Sequence, residues 1–272
     1  MSDFWTALAI HIGVITGATM LLMAALWVVQ KKIHDAGVVD VGWSFGLGFA
    51  GIYAAIFADG DAGRRILVGG IVGLWGIRLG WRLLRDRVLR GDEDGRYQQL
   101  RKNWGEKFEA WIFIFFQCQA LSVGLLALPF VLGAMDASPF PAWHDFAAGA
   151  LWIIGLVGEG VADAQLARFK KRPDTKGQTC REGLWAYSRH PNYFFTSLIW
   201  IAFGVGALGA PWGWLGLSAP AIILFLILKV TGIPPTEKRA LESRPESYRK
   251  YQREVSPFIP WFPKESSEGS ES

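Results

Sequence analysis

Apolar residues in this chain gather into long unbroken blocks instead of recurring every third or fourth position, a pattern of helices surrounded by hydrocarbon more than by water. Blocks run over residues 4–29, 38–57, 66–84, 110–135, 146–161, 193–208 and 212–228. Crossing a bilayer takes about 20 apolar residues. The pattern therefore predicts an all-α, polytopic integral membrane protein with about seven transmembrane helices. The stretch 194–228 holds no charged side chain and is long enough for two of them.

The polar segments set the orientation. Lys and Arg crowd 85–109 and 162–190 and recur after Lys229, whereas 136–145 has neither. By the positive-inside rule the crowded segments and the C-terminus are expected in the cytoplasm and the N-terminus outside. Met1-Ser2-Asp3 gives no basic flank and the first block is too long for a signal-peptide core, so a retained helix is expected. One domain over 1–265 is predicted, followed by a disordered tail over 266–272 that is rich in Ser, Glu and Gly.

Composition narrows the chemistry. The chain is 51% hydrophobic and 19% charged, and the basic loops account for its net charge of +4, so no nucleic-acid partner is expected. Cys118 and Cys180 offer neither a disulfide framework nor metal-ligand spacing, and no metal is expected. Gly46-Leu47-Gly48-Phe49-Ala50-Gly51 and Gly204-Val205-Gly206-Ala207-Leu208-Gly209 both match the dinucleotide fingerprint, but neither sits between a strand and a soluble helix. Small residues inside apolar blocks predict close helix packing instead.

Charges inside or beside apolar blocks are the candidate chemistry, since each costs several kcal/mol unless paired, hydrated or able to snorkel. Arg78, Arg82 and Arg85 share one face of the third helix, and Arg78 with Arg82 would suit an anion such as a phosphate. Asp40 is either a helix cap or a functional carboxyl. Glu159 and Asp163 precede a basic cluster that includes Arg168, Lys170 and Lys171. The loop from Gly91 to Tyr97 is a solvated turn or a lid. The basic and aromatic segment after Lys229 is a membrane-surface element or a cover over a site. Densest of all is Glu182-Gly183-Leu184-Trp185-Ala186-Tyr187-Ser188-Arg189-His190-Pro191-Asn192-Tyr193, which runs straight into an apolar block and suits a ligand site at a membrane boundary.

That string, with Glu237, Tyr248, Tyr251 and Ile259-Pro260, resembles the C-terminal half of the steroid 5-alpha-reductase and sterol reductase superfamily. Asp40-Val41-Gly42-Trp43, Trp75-Gly76-Ile77-Arg78-Leu79 and Asp92-Glu93-Asp94-Gly95-Arg96-Tyr97 are similar to its bacterial branch, which implies a bacterial inner membrane. The resemblance implies NADPH as cofactor and hydride transfer to the C=C bond of an enone lipid such as a 3-oxo-4-ene steroid. It assigns Arg78, Arg82, Arg168 and Lys171 to cofactor phosphates. Asp163, Tyr187, Arg189, His190 and Asn192 fall to the adenosine, ribose or nicotinamide amide, with Trp185, Tyr193, Glu237 and Tyr251 completing the pocket. Trp75 stands where a tyrosine of the animal enzymes is expected, so a protonated Asp40 or Tyr97 would donate the hydrogen bond to the enone oxygen. A monomer in contact with membrane lipids is expected. The same Arg-His-Pro-x-Tyr ending occurs in isoprenylcysteine and phospholipid methyltransferases that use S-adenosylmethionine, which is the alternative.

Overall fold

The computed structural model describes residues 2–89, 93–175 and 177–264. Gly91 and Asp92, at the head of the candidate lid, and the tail 266–272 lie outside them. The described residues are helical almost throughout: α1 (Ser2–Ile33), α2 (Val38–Phe57), α3 (Ala62–Leu83), α4 (Gly95–Trp104), α5 (Phe108–Leu126), α6 (Leu128–Met135), α7 (Trp143–Lys171), α8 (Pro191–Gly206), α9 (Ser218–Phe225), α10 (Ile233–Ser243) and α11 (Pro245–Glu254). A polytopic membrane protein is the outcome, because helices satisfy every backbone polar group within themselves where no water can.

Six helical stretches among the described residues are long and apolar enough to cross a membrane: 2–33, 38–57, 62–88, 95–135, 143–171 and 213–243. The predicted span 193–208 differs. It folds as α8, whose 16 residues are bounded by Pro191 and by the glycines at its end. A helix rises about 1.5 Å per residue, so α8 is short of the roughly 30 Å core. The predicted block 110–135 also divides, into α5 and α6 at Ala127, with Pro129 in the first turn of α6. Two π-helical turns, Leu84–Val88 and Leu226–Val230, extend α3 and α9.

The chain forms two compact units, 1–147 with 203–219, and 148–202 with 220–272. In the first, α1 shows the inverted polarity of a lipid-facing helix. Ile10, Val14, Leu21 and Val28 are exposed, while His11, Thr19 and Gln30 are buried. His11 Nδ1 lies 3.3 Å from the Tyr53 hydroxyl, and Gln30 donates to Glu109 at 2.9 Å. Polar side chains face protein here because hydrocarbon gives them no partner.

The first glycine-rich motif packs helices, as predicted. A Cβ placed on Gly76 of α3 would lie 2.5 Å from Gly48 Cα of α2, and one on Gly51 would lie 2.4 Å from Val72 Cβ. Glycine lets these two backbones touch.

At the Asp136–Asp145 connector the first unit holds a charge cluster that the apolar pattern conceals. Arg64 is fully buried. Its Nε and Nη2 each donate at 2.8 Å to one oxygen of Asp145, and Nη1 lies 2.9 Å from Asp136 Oδ2 and donates to the Ser138 carbonyl at 3.0 Å. His144 Nε2 adds a contact of 3.2 Å to Asp136. A buried guanidinium is tolerated because every side of it meets an acceptor.

Candidate functional site

In the first unit, the candidate catalytic pair is brought together. Asp40 is the third residue of α2, and Tyr97 is the third of α4. The Tyr97 hydroxyl donates to Asp40 Oδ1 at 2.9 Å. Arg87 and Arg96 both donate to Asp40 Oδ2, Arg96 at 2.8 Å. Asp40 is therefore not the cap of α2. That position belongs to Gly37, which makes no side-chain cap. Asp40 thus accepts from three side chains, Tyr97 on one oxygen and Arg87 with Arg96 on the other.

The segment that carries Tyr97 is tied down locally. Asp94 caps α4 by accepting from the Arg96 N–H at 2.9 Å, while Glu93 accepts from the Ala36 N–H at 3.0 Å and from Arg101 at 3.0 Å. Burial pushes the Asp94 carboxyl upward, but the Arg96 side chain and N–H outweigh it and hold the group below its ordinary range. Arg78 and Arg82 lie half-buried on α3, one turn apart. Arg85 of the same predicted face is exposed and paired with Asp86 at 3.0 Å.

In the second unit, the string 182–193 folds into a 3₁₀ turn, Gly183–Ala186, leading into α8. Gly183 adopts φ +57°, and a Cβ there would lie 2.3 Å from Gln165 Nε2. Only glycine serves this turn. Gln165 Oε1 accepts from the Leu184 N–H at 2.9 Å, and Trp185 donates to the Ala162 carbonyl at 2.9 Å, which fixes the turn on α7. From the other side Tyr251 donates to the carbonyls of Trp185 and Ser188.

Glu237 of α10 is the hub of this unit. It accepts from Arg189 Nε at 2.7 Å, Gln252 at 2.8 Å and Tyr248 at 3.2 Å, and lies 3.3 Å from His190 Nε2. Arg189 further donates to the carbonyls of Gln252 at 2.9 Å and Val255 at 2.8 Å. Its N–H donates to the Ser256 carbonyl at 2.8 Å. Arg189 and Glu237 thus tie the motif to α10, α11 and the segment after them. Burial and the nearby Glu237 carboxylate raise the Tyr248 hydroxyl well above its ordinary range.

Six of the predicted residues line one cleft of about 190 Å³: Trp185, Arg189, His190, Asn192, Tyr193 and Tyr251. The His190 and Tyr193 rings stack with centroids 5.5 Å apart and planes 10° apart. Asn192 Oδ1 is buried without a hydrogen-bond partner among the described residues. Lys170, Cys180, Arg244 and Tyr248, which the sequence reading did not assign to the site, also line this cleft.

A second cleft of about 450 Å³ carries Lys170, Lys171, Arg172, Cys180 and Arg244. Asp163, Arg168 and Tyr187 are not among the lining residues of either. Arg168 is exposed, and Tyr187 meets Phe262 edge-on with centroids 6.1 Å apart. The helical period could have separated Lys170 from Arg168, since residues two apart on α7 face different ways. No comparable local signal marks Arg244.

Residues 26–255 match the profile of the family described as "Protein of unknown function (DUF1295)". The chain belongs to the DUF1295 family. A DUF1295 chain of this kind is similar to "Uncharacterized protein C594.04c" of Schizosaccharomyces pombe, 27% identical over 282 residues, which cover 89% of this chain and 77% of that protein. No solved structure matches.

Proposed function

We propose that this protein is an NADPH-dependent membrane reductase acting on the C=C bond of an enone lipid, with the Δ4 bond of a 3-oxo-4-ene steroid as the leading substrate. In this reading it works as a monomer in a bacterial inner membrane, with the arginine-bearing segments 85–94 and 172–190 on the cytoplasmic side. When bound, the reduced nicotinamide supplies a hydride to the β carbon of the enone, whose electron pair moves to the oxygen before a proton reaches the α carbon.

The observation that carries the reading is Asn192 Oδ1, a buried acceptor without a partner among the described residues, in a cleft walled by Trp185, His190, Tyr193, Tyr248 and Tyr251. An unpaired buried amide oxygen is costly until a donor arrives. The N–H₂ of a carboxamide meets that need, and the aromatic walls suit a flat heterocycle. Arg189 and Glu237 act as positioning residues, because their polar groups hold the motif to α10 and the segment after α11.

For the hydrogen bond to the enone oxygen, Tyr97 is the group of choice within the first unit. Asp40, paired with Arg87 and Arg96, accepts the Tyr97 hydrogen and orients the hydroxyl. Rotation about the phenol C–O bond redirects that hydrogen toward an enone oxygen, where negative charge develops.

The test is thermal stabilisation of the purified full chain, since only a ligand of the native state raises its stability. NADPH should stabilise it, NADH less, and S-adenosylmethionine little. With NADPH, progesterone or testosterone should lose its enone absorbance. Stabilisation by S-adenosylmethionine alone would make the protein a methyltransferase instead.

A further inference from the structure

The two clefts of the second unit share a wall. Leu166, Lys170, Cys180 and Arg244 line both. One side of that wall is aromatic and carries Asn192. The other presents Lys170, Lys171, Arg172 and Arg244, and no carboxylate lines it among the described residues. Arg172 is paired with Glu182. Cations gathered in a concave site with low-dielectric walls concentrate a positive potential.

Arg244 stands at the joint. It occupies the corner between α10 and α11, with φ −154° and ψ 65°. Its guanidinium carbon lies 5.7 Å from the centre of the Tyr248 ring. Its Nε is buried and has no hydrogen-bond partner among the described residues. A buried guanidinium N–H left unsatisfied is costly, and the guanidinium fork matches a phosphate bidentately.

We infer that the two clefts are one ligand site and that Arg244 is the residue that reads a phosphate group on the ligand, which makes it a specificity-determining residue. The inference rests on the nucleotide reading of the aromatic cleft for the ligand's class, a phosphorylated adenine nucleotide. Lys171 supports the phosphate from the basic side, and Tyr248 holds the guanidinium from the other.

The experiment titrates the full chain in detergent with adenosine, adenosine 2′,5′-bisphosphate and inorganic pyrophosphate, in the parent and in Arg244→Gln. The parent should bind the bisphosphate more tightly than adenosine. Arg244→Gln should weaken bisphosphate and pyrophosphate by about tenfold or more, the scale of one charge-assisted contact, with adenosine unchanged. Arg244→Lys keeps the charge and lacks the Nε donor, so it should recover only part of the loss, and it serves as the test if the Gln variant does not fold. Arg249→Gln, a neighbouring surface cation, should change nothing. Equal affinities for both phosphate probes in the parent and in the Arg244 variants overturn the inference. Failure of the nucleotide reading looks different: the parent then binds neither adenosine nor NADPH, while an Arg244-dependent pyrophosphate affinity still upholds the phosphate seat.

Discussion

The Tyr97 hydroxyl and the Asp40 carboxylate, 57 residues apart in the chain, are joined by a hydrogen bond of 2.9 Å. Asp40 accepts on its other oxygen from Arg87 and Arg96, so the tyrosine and the two arginines meet different oxygens of the carboxyl. Removing the hydroxyl and removing the charge that orients it are therefore separable changes. Tyr97→Phe should lower the rate of enone reduction by roughly 100-fold or more, the usual scale for a positioned acid. Asp40→Asn should lower it less. In both, NADPH affinity should stay near that of the parent, because the lost interaction strengthens only as charge develops. A Tyr97→Phe protein with normal turnover would remove Tyr97 from the chemistry.

Arg64 is wholly buried among Asp136, Asp145 and backbone carbonyls. Arg64→Gln leaves two carboxylates without their cation and should cost about 3–5 kcal/mol, as breaking a buried pair does. Unfolding in detergent measures it. A variant as stable as the parent would mean that water reaches the cluster.

Gly48 and Gly76 meet backbone to backbone, but not symmetrically. An added Cβ at Gly76 would lie 2.5 Å from Gly48 Cα, while one at Gly48 would lie 3.2 Å from Gly76 Cα. Gly76→Ala should therefore be the more damaging, by about 1–3 kcal/mol, the range for overpacking a tight contact. The order of the two unfolding midpoints decides the matter.

Cys180 is buried on the wall shared by the clefts, and burial pushes its thiol above the ordinary value. Alkylation proceeds through the thiolate, so at neutral pH Cys180 should react more slowly than a free cysteine, with the rate climbing as pH rises past 9. NADPH should slow the reaction further by filling the cleft. Mass spectrometry in a Cys118→Ser background reads both effects, and reaction at the free-cysteine rate with or without NADPH contradicts them.

Glu237 accepts from three side chains and approaches His190. Glu237→Gln keeps the shape but removes the charge, and should cost about 1.5–3 kcal/mol of stability through the Arg189 contact alone. It should also weaken NADPH, since Arg189 and His190 lose their anchor. Loss of binding with no loss of stability would instead place Glu237 in direct contact with the ligand.

Much of the fold was legible along the chain. Long apolar blocks become helices because hydrocarbon leaves the backbone no other way to satisfy its polar groups. The glycines at 46, 48 and 51 read correctly as packing because no strand precedes them. The site was legible in part. Trp185, His190, Asn192 and Tyr193, from the dense polar and aromatic string at the edge of an apolar block, share a cleft with Tyr251 of α11.

Length was where the pattern overreached, since α8 is apolar enough for a span but ends after 16 residues. Pro191 and the terminal glycines set that limit more than hydropathy does. Cations were the harder problem, because a sequence shows that a charge exists and not what neutralises it. Arg64 finds Asp145 81 residues away, and Arg189 finds Glu237 48 residues away. Such pairing is set by which helices fold against each other, and it leaves no periodic trace. The long apolar blocks thus decided that these residues would be helices in a membrane, while the packing of those helices decided that Arg189 anchors structure and Arg244 faces an open cleft.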